Sequence, residues 1–511
     1  MFLKYLELNN FRNYTNVSLK LKNNLILFLG ENGAGKTNLL ESIYYLLTGK
    51  SHRIATQLDL IKHGSDYCVL RGIIKLEDNY NYRSNDINNK NDMNDKNDRN
   101  DNDRNGNNDG NGNNDRNGNK NEDEESNDNI IEIQLNKDGS TKIKFNKVYV
   151  KSKSIFTSNF ATVIFCPDDL KIIKSTPLYR RNFLDDILEK TDKDFLSLRI
   201  RYQKILNQRN TLIKSINNFN ISNLNNYFEQ NEQKVADKKD EAKNNILKTL
   251  DIWNEKLIET GTTIIQKRLN LINKIKPNFI KYMTYFFNNK NFEIKYVFSW
   301  ERLQSSNAFN DNNNYFEYKL NGESDNNSEV SKSENSKNLN EISGFFNFFN
   351  YFSDFVISQE NNDKLDNYNY KISSDIFKEK LNLYLKKDIF MKTTTVGPHR
   401  DDFLIYINGF DIKSFGSQGQ QRIAAICLKL AEFDLLMQIT KEKPILLLDD
   451  VLSELDIERK HLLLNLIGNN FQTFITAANF DYLKDIDLKY CEKYLVKDNL
   501  VTRYQDCHGD V

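Results

Sequence analysis

The sequence predicts an α/β nucleotide-binding fold whose two halves lie far apart in the chain, with a helical segment between them. Three observations carry this reading. The apolar run LILFL passes directly into GENGAGKT and then a helical pattern, a second apolar run, PILLLDD, ends in carboxylates far downstream, and two long helical stripes separate them.

The N-terminal segment FLKYLELNNF alternates and reads as a strand, LILFL as another, with NYTNVSL as a turn-rich link between them. After the glycines, TNLLESIYYLLTG reads as a helix stopped at Gly49. Strand, GENGAGKT and helix together satisfy the P-loop pattern over Gly30, Glu31, Asn32, Gly33, Ala34, Gly35, Lys36 and Thr37, with Asn38 next. Glycines free the backbone to wrap phosphates, Lys36 reaches the outer ones, and Thr37 is the expected ligand for Mg²⁺.

YCVLRGIIKLE and NIIEIQLNKDGSTKIKFN read as strands of a meander, the latter turning at Lys137-Asp138-Gly139-Ser140. Between them, residues 83–129 are nearly all Asn, Asp, Lys, Arg and Gly. With so little to bury, this stretch is expected to be a disordered tip inserted into a hairpin. A second biased stretch, 305–369, is rich in Asn and Ser but holds FFNFFNYF at 345–352, and is expected to be only partly disordered.

Phe195, Leu198, Tyr202, Ile205, Arg209, Leu212 and Ile216 recur at spacings of three and four, which places one stripe on a long helix. Ile246, Leu250, Trp253, Leu257 and Ile264 repeat the pattern until Pro277, expected to end it. The pair is expected to form an antiparallel hairpin, an arm standing off the core.

In PILLLDDVLSELD an apolar strand presents Asp449 to hold Mg²⁺ through water and Asp450 as the base for an attacking water. Upstream, FGSQGQQRIAAICLKLAEFDLL is a polar glycine turn opening a long helix, and a helix N-terminus with Ser417 is an anion site. Alone it is as readily an ordinary capped helix. Beside a P-loop it suggests a site acting in trans on the nucleotide of a second copy.

The 71 basic and 71 acidic residues cancel, so overall charge gives no reason to expect nucleic acid or an anionic membrane, and any basic surface is local. Candidate phosphate contacts are Lys50, His52 and Arg53 after the first helix, and Arg180, Arg181, Arg199, Arg201 and Lys204 near the arm. No base-reading motif is visible, which points to sequence-independent binding. Five scattered cysteines without a CxxC pair indicate neither a disulfide framework nor a zinc site and suit a reducing cytosol. Lys4 and Glu7 interrupt the N-terminus and no eighteen apolar residues run together, so a soluble intracellular chain without membrane partners is expected.

P-loop, SQGQQR, LLLDD and SELD in this order resemble an ABC-type ATPase head split by a helical insert. The finer motifs FRNY (11–14), GENGAGKTNLLESIYYL (30–46), FCPDDL (165–170), RRNFLD (180–185), YQKILNQRN (202–210), GPHRDDF (397–403), SQGQQR (417–422) and LLLDDVLSELD (446–456) resemble the bacterial RecF family over nearly the whole chain except the two Asn-rich inserts. The resemblance implies an ABC-type P-loop head with a helical lid or arm: head over 1–175, arm over 176–390, and head again over 391–511. It implies an ATP-dependent head-to-tail homodimer in which Ser417, Gln418, Gly419 and Gln420 complete the partner's site and Asp456 of the D-loop lines the same interface. Arg12 matches an arginine that related heads place near the nucleotide.

For function, it implies a weak, DNA-stimulated ATPase used as a slow switch in recombinational repair, replication restart and the SOS response. Expected partners are single- and double-stranded DNA at gapped junctions and a RecR-type mediator, with help in loading RecA, in the cytoplasm at the nucleoid. Asp168 and Ser175 depart from the family's usual Glu and Gly.

Three other classes fit less well. A transporter subunit would carry its signature within about one domain length of the P-loop. An SMC-type ATPase would need hundreds of heptad residues between the halves, and often a CxxC hook. A nuclease-fused ATPase would need a further acidic domain after Asp449. An SMC-like or other ABC-type repair ATPase with a different partner remains the alternative.

Overall fold

The computed structural model describes residues 1–53, 56–76, 128–150, 160–217, 238–288, 290–302, 372–467, 471–478 and 491–504. Its contacts divide the chain into two compact units. One comprises Met1–Lys153, Glu442–Leu447 and Ile467–Val511, the other Ser154–Lys441 and Leu448–Leu466. These divisions fall at different positions from the 175 and 390 boundaries expected from sequence.

In the first unit an antiparallel sheet runs in the order Tyr14–Lys20, Phe2–Phe11, Tyr67–Lys75, Asp128–Asn136, Thr141–Phe145, Val148–Tyr149. NYTNVSL is therefore a strand and not the turn-rich link expected. Its partner Phe2–Phe11 sets the register Leu6↔Leu19 and Leu8↔Val17, and Tyr14, Val17 and Leu19 turn inward while the polar residues face out. Only Arg12 and Asn13 make the turn.

The expected turn at Lys137–Ser140 closes with Gly139 N–H on the Asn136 carbonyl at 2.9 Å. Lys75 pairs with Asp128 and Ile74 with Asn129, so the first insert does enter a hairpin, but it ends before Asp128. Its other residues from 83 on, and all of 305–369 with its aromatic run, lie outside the described residues.

Leu25–Leu29 lies between Thr473–Ala477 and Cys491–Lys497, parallel to both, with Leu500–Arg503 antiparallel beyond. A strand covered on both faces reads as a continuous apolar run, and Ile26 through Leu29 are buried accordingly. Helix Lys36–Thr48 packs on the antiparallel sheet and on Thr473–Ala477 through Leu39, Leu40, Ile43, Leu46 and Leu47. Gly49, in the left-handed region, caps it as predicted.

In the second unit the two stripes form helices Phe195–Asn217 and Lys238–Phe286. Ile213 and Ile216 pack on Leu247 and Leu250, and Arg209 bonds Asn254, so the pair is antiparallel as expected. Pro277 does not end the second helix, which continues to Phe286. Proline costs one backbone bond and a steric adjustment. Burial of Ile275, Phe279 and Met283 on either side, each fully inaccessible, outweighs it.

Arg209, inside the apolar stripe, is also fully buried and donates to Asp388 Oδ2 at 2.8 Å and Thr394 Oγ1 at 2.6 Å. The same unit holds a three-stranded antiparallel sheet of Phe292–Val297, Asp402–Ile407 and Phe410–Asp411, and the helix Gln418–Thr440.

Candidate nucleotide-binding and signature sites

The P-loop begins where the buried strand Leu25–Leu29 leaves the sheet. Lys36 is 7% exposed, and its ammonium donates to the carbonyls of Gly30 at 2.7 Å and Glu31 at 2.9 Å, so the cation lies over the loop. Gly35, with φ of 109°, opens the helix without a side-chain cap, and the first turn holds no acidic residue. A Cβ at Gly35 would meet Asn13 Nδ2 at 2.5 Å and Tyr14 Oη at 2.7 Å, so glycine is required on both counts. Glycine backbone, an uncapped helix N-terminus and a buried lysine form a cradle whose chemistry fits a polyphosphate.

FRNY braces this cradle. Tyr14 Oη donates to the Gly35 carbonyl at 3.0 Å, and Asn38 Nδ2 donates to Asn13 Oδ1 at 2.8 Å. Arg12 grips buried Glu41 with two bonds of 2.9 Å and donates to the Asp59 carbonyl at 2.8 Å. Its left-handed backbone, φ of 53°, is held by these bonds together with Arg12 N–H on the Leu60 carbonyl at 2.8 Å. Arg12 therefore anchors the P-loop helix, and reaching a nucleotide would require it to release Glu41. Sequence reasoning missed the parts played by Asn13 and Tyr14, although FRNY was itself the signal.

In the second unit Asp449 ends the apolar strand at 5% exposure, and Asp450 follows in the left-handed region with φ of 52°. A non-glycine residue held there marks a backbone fixed by its surroundings. Ser453 Oγ donates to the Asp450 carbonyl at 2.7 Å. Below this turn lies a cavity of about 30 Å³ lined by residues that include Phe165, Cys166, Asp169, Arg422, Val451 and Leu455, which gives the FCPDDL segment its place. Burial raises the Asp169 carboxyl to about 6 although Lys429 opposes the shift, and its Oδ2 accepts from Cys166 N–H at 2.8 Å. Burial likewise pushes up the Cys166 thiol.

Ser417 caps helix Gln418–Thr440 reciprocally. Its Oγ accepts from Gln420 N–H at 3.2 Å and its N–H donates to Gln420 Oε1 at 2.9 Å. Ser417 and Gln418 are exposed and Gly419 half-buried. Asp456 caps the following helix, accepting from Arg459 N–H at 2.9 Å and Arg459 Nη1 at 2.6 Å, and the same guanidinium lies 3.3 Å from where a Gly419 Cβ would stand. Arg459 thus links the D-loop to the signature turn, a role the sequence reading did not assign.

A divalent ion at bound phosphates takes most of its ligands from the nucleotide and water. Thr37 in the first unit and Asp449 in the second each carry an oxygen donor of the type such an ion takes. Among the described residues no group of three or more His, Cys, Asp or Glu is placed to hold a metal alone.

Arg180 must be withdrawn as a DNA contact. It is 4% exposed, forks onto Asp402 at 2.6 and 2.9 Å, and donates to the carbonyls of Ile172, Ile173 and Ser175. Arg181 is half-buried and donates to the Asp401 carbonyl at 2.8 Å, and burial lowers its pKa. Arg199 Nη2 lies 2.6 Å from buried Glu189 and its Nη1 3.9 Å from Asp185. His52 is half-buried with its ring edge-on to Tyr44. Lys50, Arg53, Arg201 and Lys204 are exposed; Arg53 donates to Asn38 Oδ1 at 3.0 Å and Arg201 lies 3.8 Å from Glu259.

The quoted motifs converge inside this unit. RRNFLD meets GPHRDDF through Arg180–Asp402, Asp185 of RRNFLD holds Arg268 at 2.9 and 3.0 Å, and Tyr202 Oη lies 2.7 Å from His399 Nδ1. Burial holds the His399 imidazole near 3, so it stays neutral between Tyr202 and the Thr394 carbonyl. Among the described residues no helix is long and apolar enough to cross a membrane.

A family model for the RecF/RecN/SMC N-terminal domain matches residues 2–494. The DNA replication and repair protein RecF of Clostridium novyi is 31% identical over 490 residues, covering 95% of this chain and 96% of its own length. Its counterpart from Thermoanaerobacter pseudethanolicus is 31% identical over 499 residues, covering 98% and 100%. The solved structure of the recombination mediator protein RecF with ATP, of the RecFOR pathway, matches with a TM-score of 0.63 at 27% identity, covering 99% of this chain and 98% of that one.

Proposed function

Because the chain belongs to the RecF family and has the ABC-type ATPase head of that family, we propose that it is an ATP-dependent DNA-binding protein of recombinational repair and replication restart, in which ATP closes two copies on DNA at a single-strand gap. The observation that carries this reading is Lys36, held over a glycine loop at an uncapped helix start.

In the proposed cycle Lys36 exchanges the Gly30 and Glu31 carbonyls for the outer phosphate oxygens, and the first N–H groups of its helix take the inner ones. Thr37 and Asp449 would hold Mg²⁺, which when bound would supply neutralisation of phosphate charge. Asp450 orients the attacking water and accepts its proton as the bond between γ-phosphorus and the bridging oxygen breaks. Ser417, Gln418, Gly419 and Gln420 of one copy face the γ-phosphate held by the other, with Asp456 beside them. Hydrolysis removes that phosphate and releases the pair, so turnover is slow and acts as a timer.

Phosphate contacts fall to the exposed Lys50, Arg53 and Arg201, without base readout. The relatives' RecFOR pathway suggests a RecR-type mediator as partner. Supporting the trans role, Ser417 and Gln418 are solvent-facing on their own subunit.

Light scattering on an Asp450→Asn variant, with and without ATP and with gapped duplex added, tests this. The expected result is a monomer without ATP and a dimer with ATP that retains the DNA. A monomer under all conditions would end the trans assignment of Ser417.

A further inference from the structure

Beside the signature turn two large aromatic side chains face solvent. Phe410 is 61% exposed and Phe415 73%, with ring centroids 5.8 Å apart and planes inclined at 64°. Single exposed apolar side chains are ordinary, but two in edge contact on a braced turn form a patch.

The bracing is extensive. Asn408 and Gly409, with φ of 49° and 83°, make a two-residue hairpin that pairs Ile407 with Phe410. Asp411 then accepts from Lys413 N–H at 3.1 Å and Ser414 Oγ at 2.8 Å, starting the single turn Ile412–Phe415. Gly416 closes that turn with its N–H on the Ile412 carbonyl at 3.0 Å. A Cβ there would lie 2.5 Å from the Ile412 oxygen, so a larger residue would push Ser417 away from Phe415. From within the signature helix, buried Gln421 donates to the Ile412 and Lys413 carbonyls at 3.0 and 3.1 Å. The rings and Ser417 therefore ride on one rigid piece.

We propose that Phe410 and Phe415 form a docking face for a second copy of this chain, an apolar anchor beside the signature that holds the ATP-bound pair together. The proposal rests on the trans reading of Ser417 given above. The occupant follows from continuity: Phe415 is separated from Ser417 only by Gly416, so a surface that brings bound nucleotide to Ser417 also covers Phe415. Rigidly presented aromatic side chains bury large area at small conformational cost, which is what interface centres use. The polar groups around them, Asp411 and Ser414, are already bonded to each other, so covering the patch strands neither.

The test places Phe410→Ser, Phe415→Ser and Phe415→Leu in the Asp450→Asn chain. Dimer formation is read by light scattering against protein concentration at saturating ATP. A fluorescent ATP analogue reports nucleotide binding by the dilute monomer, and a labelled gapped duplex reports DNA binding. Each serine variant is expected to need at least about tenfold more protein to dimerise, with monomer nucleotide affinity and melting temperature unchanged, and Phe415→Leu is expected to recover most of the loss.

Unchanged dimerisation of the serine variants overturns the proposal. Unchanged dimerisation with weakened DNA binding overturns it in favour of base stacking on the rings. If the Asp450→Asn parent itself stays monomeric, the trans reading falls and the docking face falls with it, a result distinct from a failure confined to the ring variants.

Discussion

Arg180→Met separates a structural cation from a DNA-binding one. In the structure the substitution removes two bonds to Asp402 and three to backbone carbonyls, and leaves a fully buried carboxylate whose other ion pair among the described residues is with Arg302 at 3.2 Å, itself 44% exposed. Removing one member of a buried pair costs about 3–5 kcal/mol. Arg302 retains part of the interaction, which places the loss near 3 kcal/mol. For a unit of this size that lowers the melting temperature by roughly 5 °C.

The double variant Arg180→Met/Asp402→Leu removes both charges and should recover most of the loss, because the penalty lies in the stranded carboxylate. Thermal unfolding followed by circular dichroism gives the first quantity, and binding of gapped duplex against salt concentration the second. An unchanged melting temperature, with the salt slope reduced by about one, would mean that Arg180 reaches a phosphate in the working protein and would refute the burial argument.

Three further expectations follow from the geometry. Lys36→Ala removes the cation of the P-loop and should abolish ATP-dependent dimerisation while leaving the fold intact; a dimer at unchanged nucleotide concentration would remove its phosphate role. Asp169, raised by burial to about 6, favours the folded state while protonated, so its contribution is full below about pH 4 and is lost as pH rises towards 6. Asp169→Asn should therefore gain on the order of 3 kcal/mol relative to the native chain between pH 4 and 6 and hold the gain above. His399, held near 3, acts in the opposite sense as pH falls below about 6.5, so the difference between variant and native chain is the quantity to measure; parallel curves would refute the Asp169 assignment. Deleting residues 84–127, which spares the Lys75↔Asp128 closing pair, should leave ATPase and DNA binding near native values, and a large loss of either would give the insert a function.

Features set by neighbouring residues were legible in the sequence. The buried strand, the P-loop and the helix ending at Gly49 are local, and so is the period of both arm helices. NYTNVSL was misread because its polar residues point outward, and only the register imposed by Phe2–Phe11 reveals the inward face of Tyr14, Val17 and Leu19. Pro277 was misread because the burial around it is tertiary.

Charged residues gave the largest error. Arg180 pairs with Asp402, 222 positions away, so it could not be told from a solvated cation by local composition, and the partner of Arg209 on the apolar stripe, Asp388, is 179 away. Asn408-Gly409 was a readable hairpin signal, and it would have set Phe410 on a turn; what it could not reveal is that Phe410 lies against Phe415.

The parallel sheet around the P-loop strand also bears on how the protein is made. Leu25–Leu29 leaves the ribosome well before its flanking strands Thr473–Ala477 and Cys491–Lys497. At about 5–20 residues per second, the interval before those strands emerge is roughly 20–90 s. Throughout that time a five-residue apolar strand has two open edges. Until then the strand that leads into the glycine loop lacks both of its parallel neighbours. Translation speed and chaperone holding of those open edges should then bear on how much of the newly made chain becomes competent.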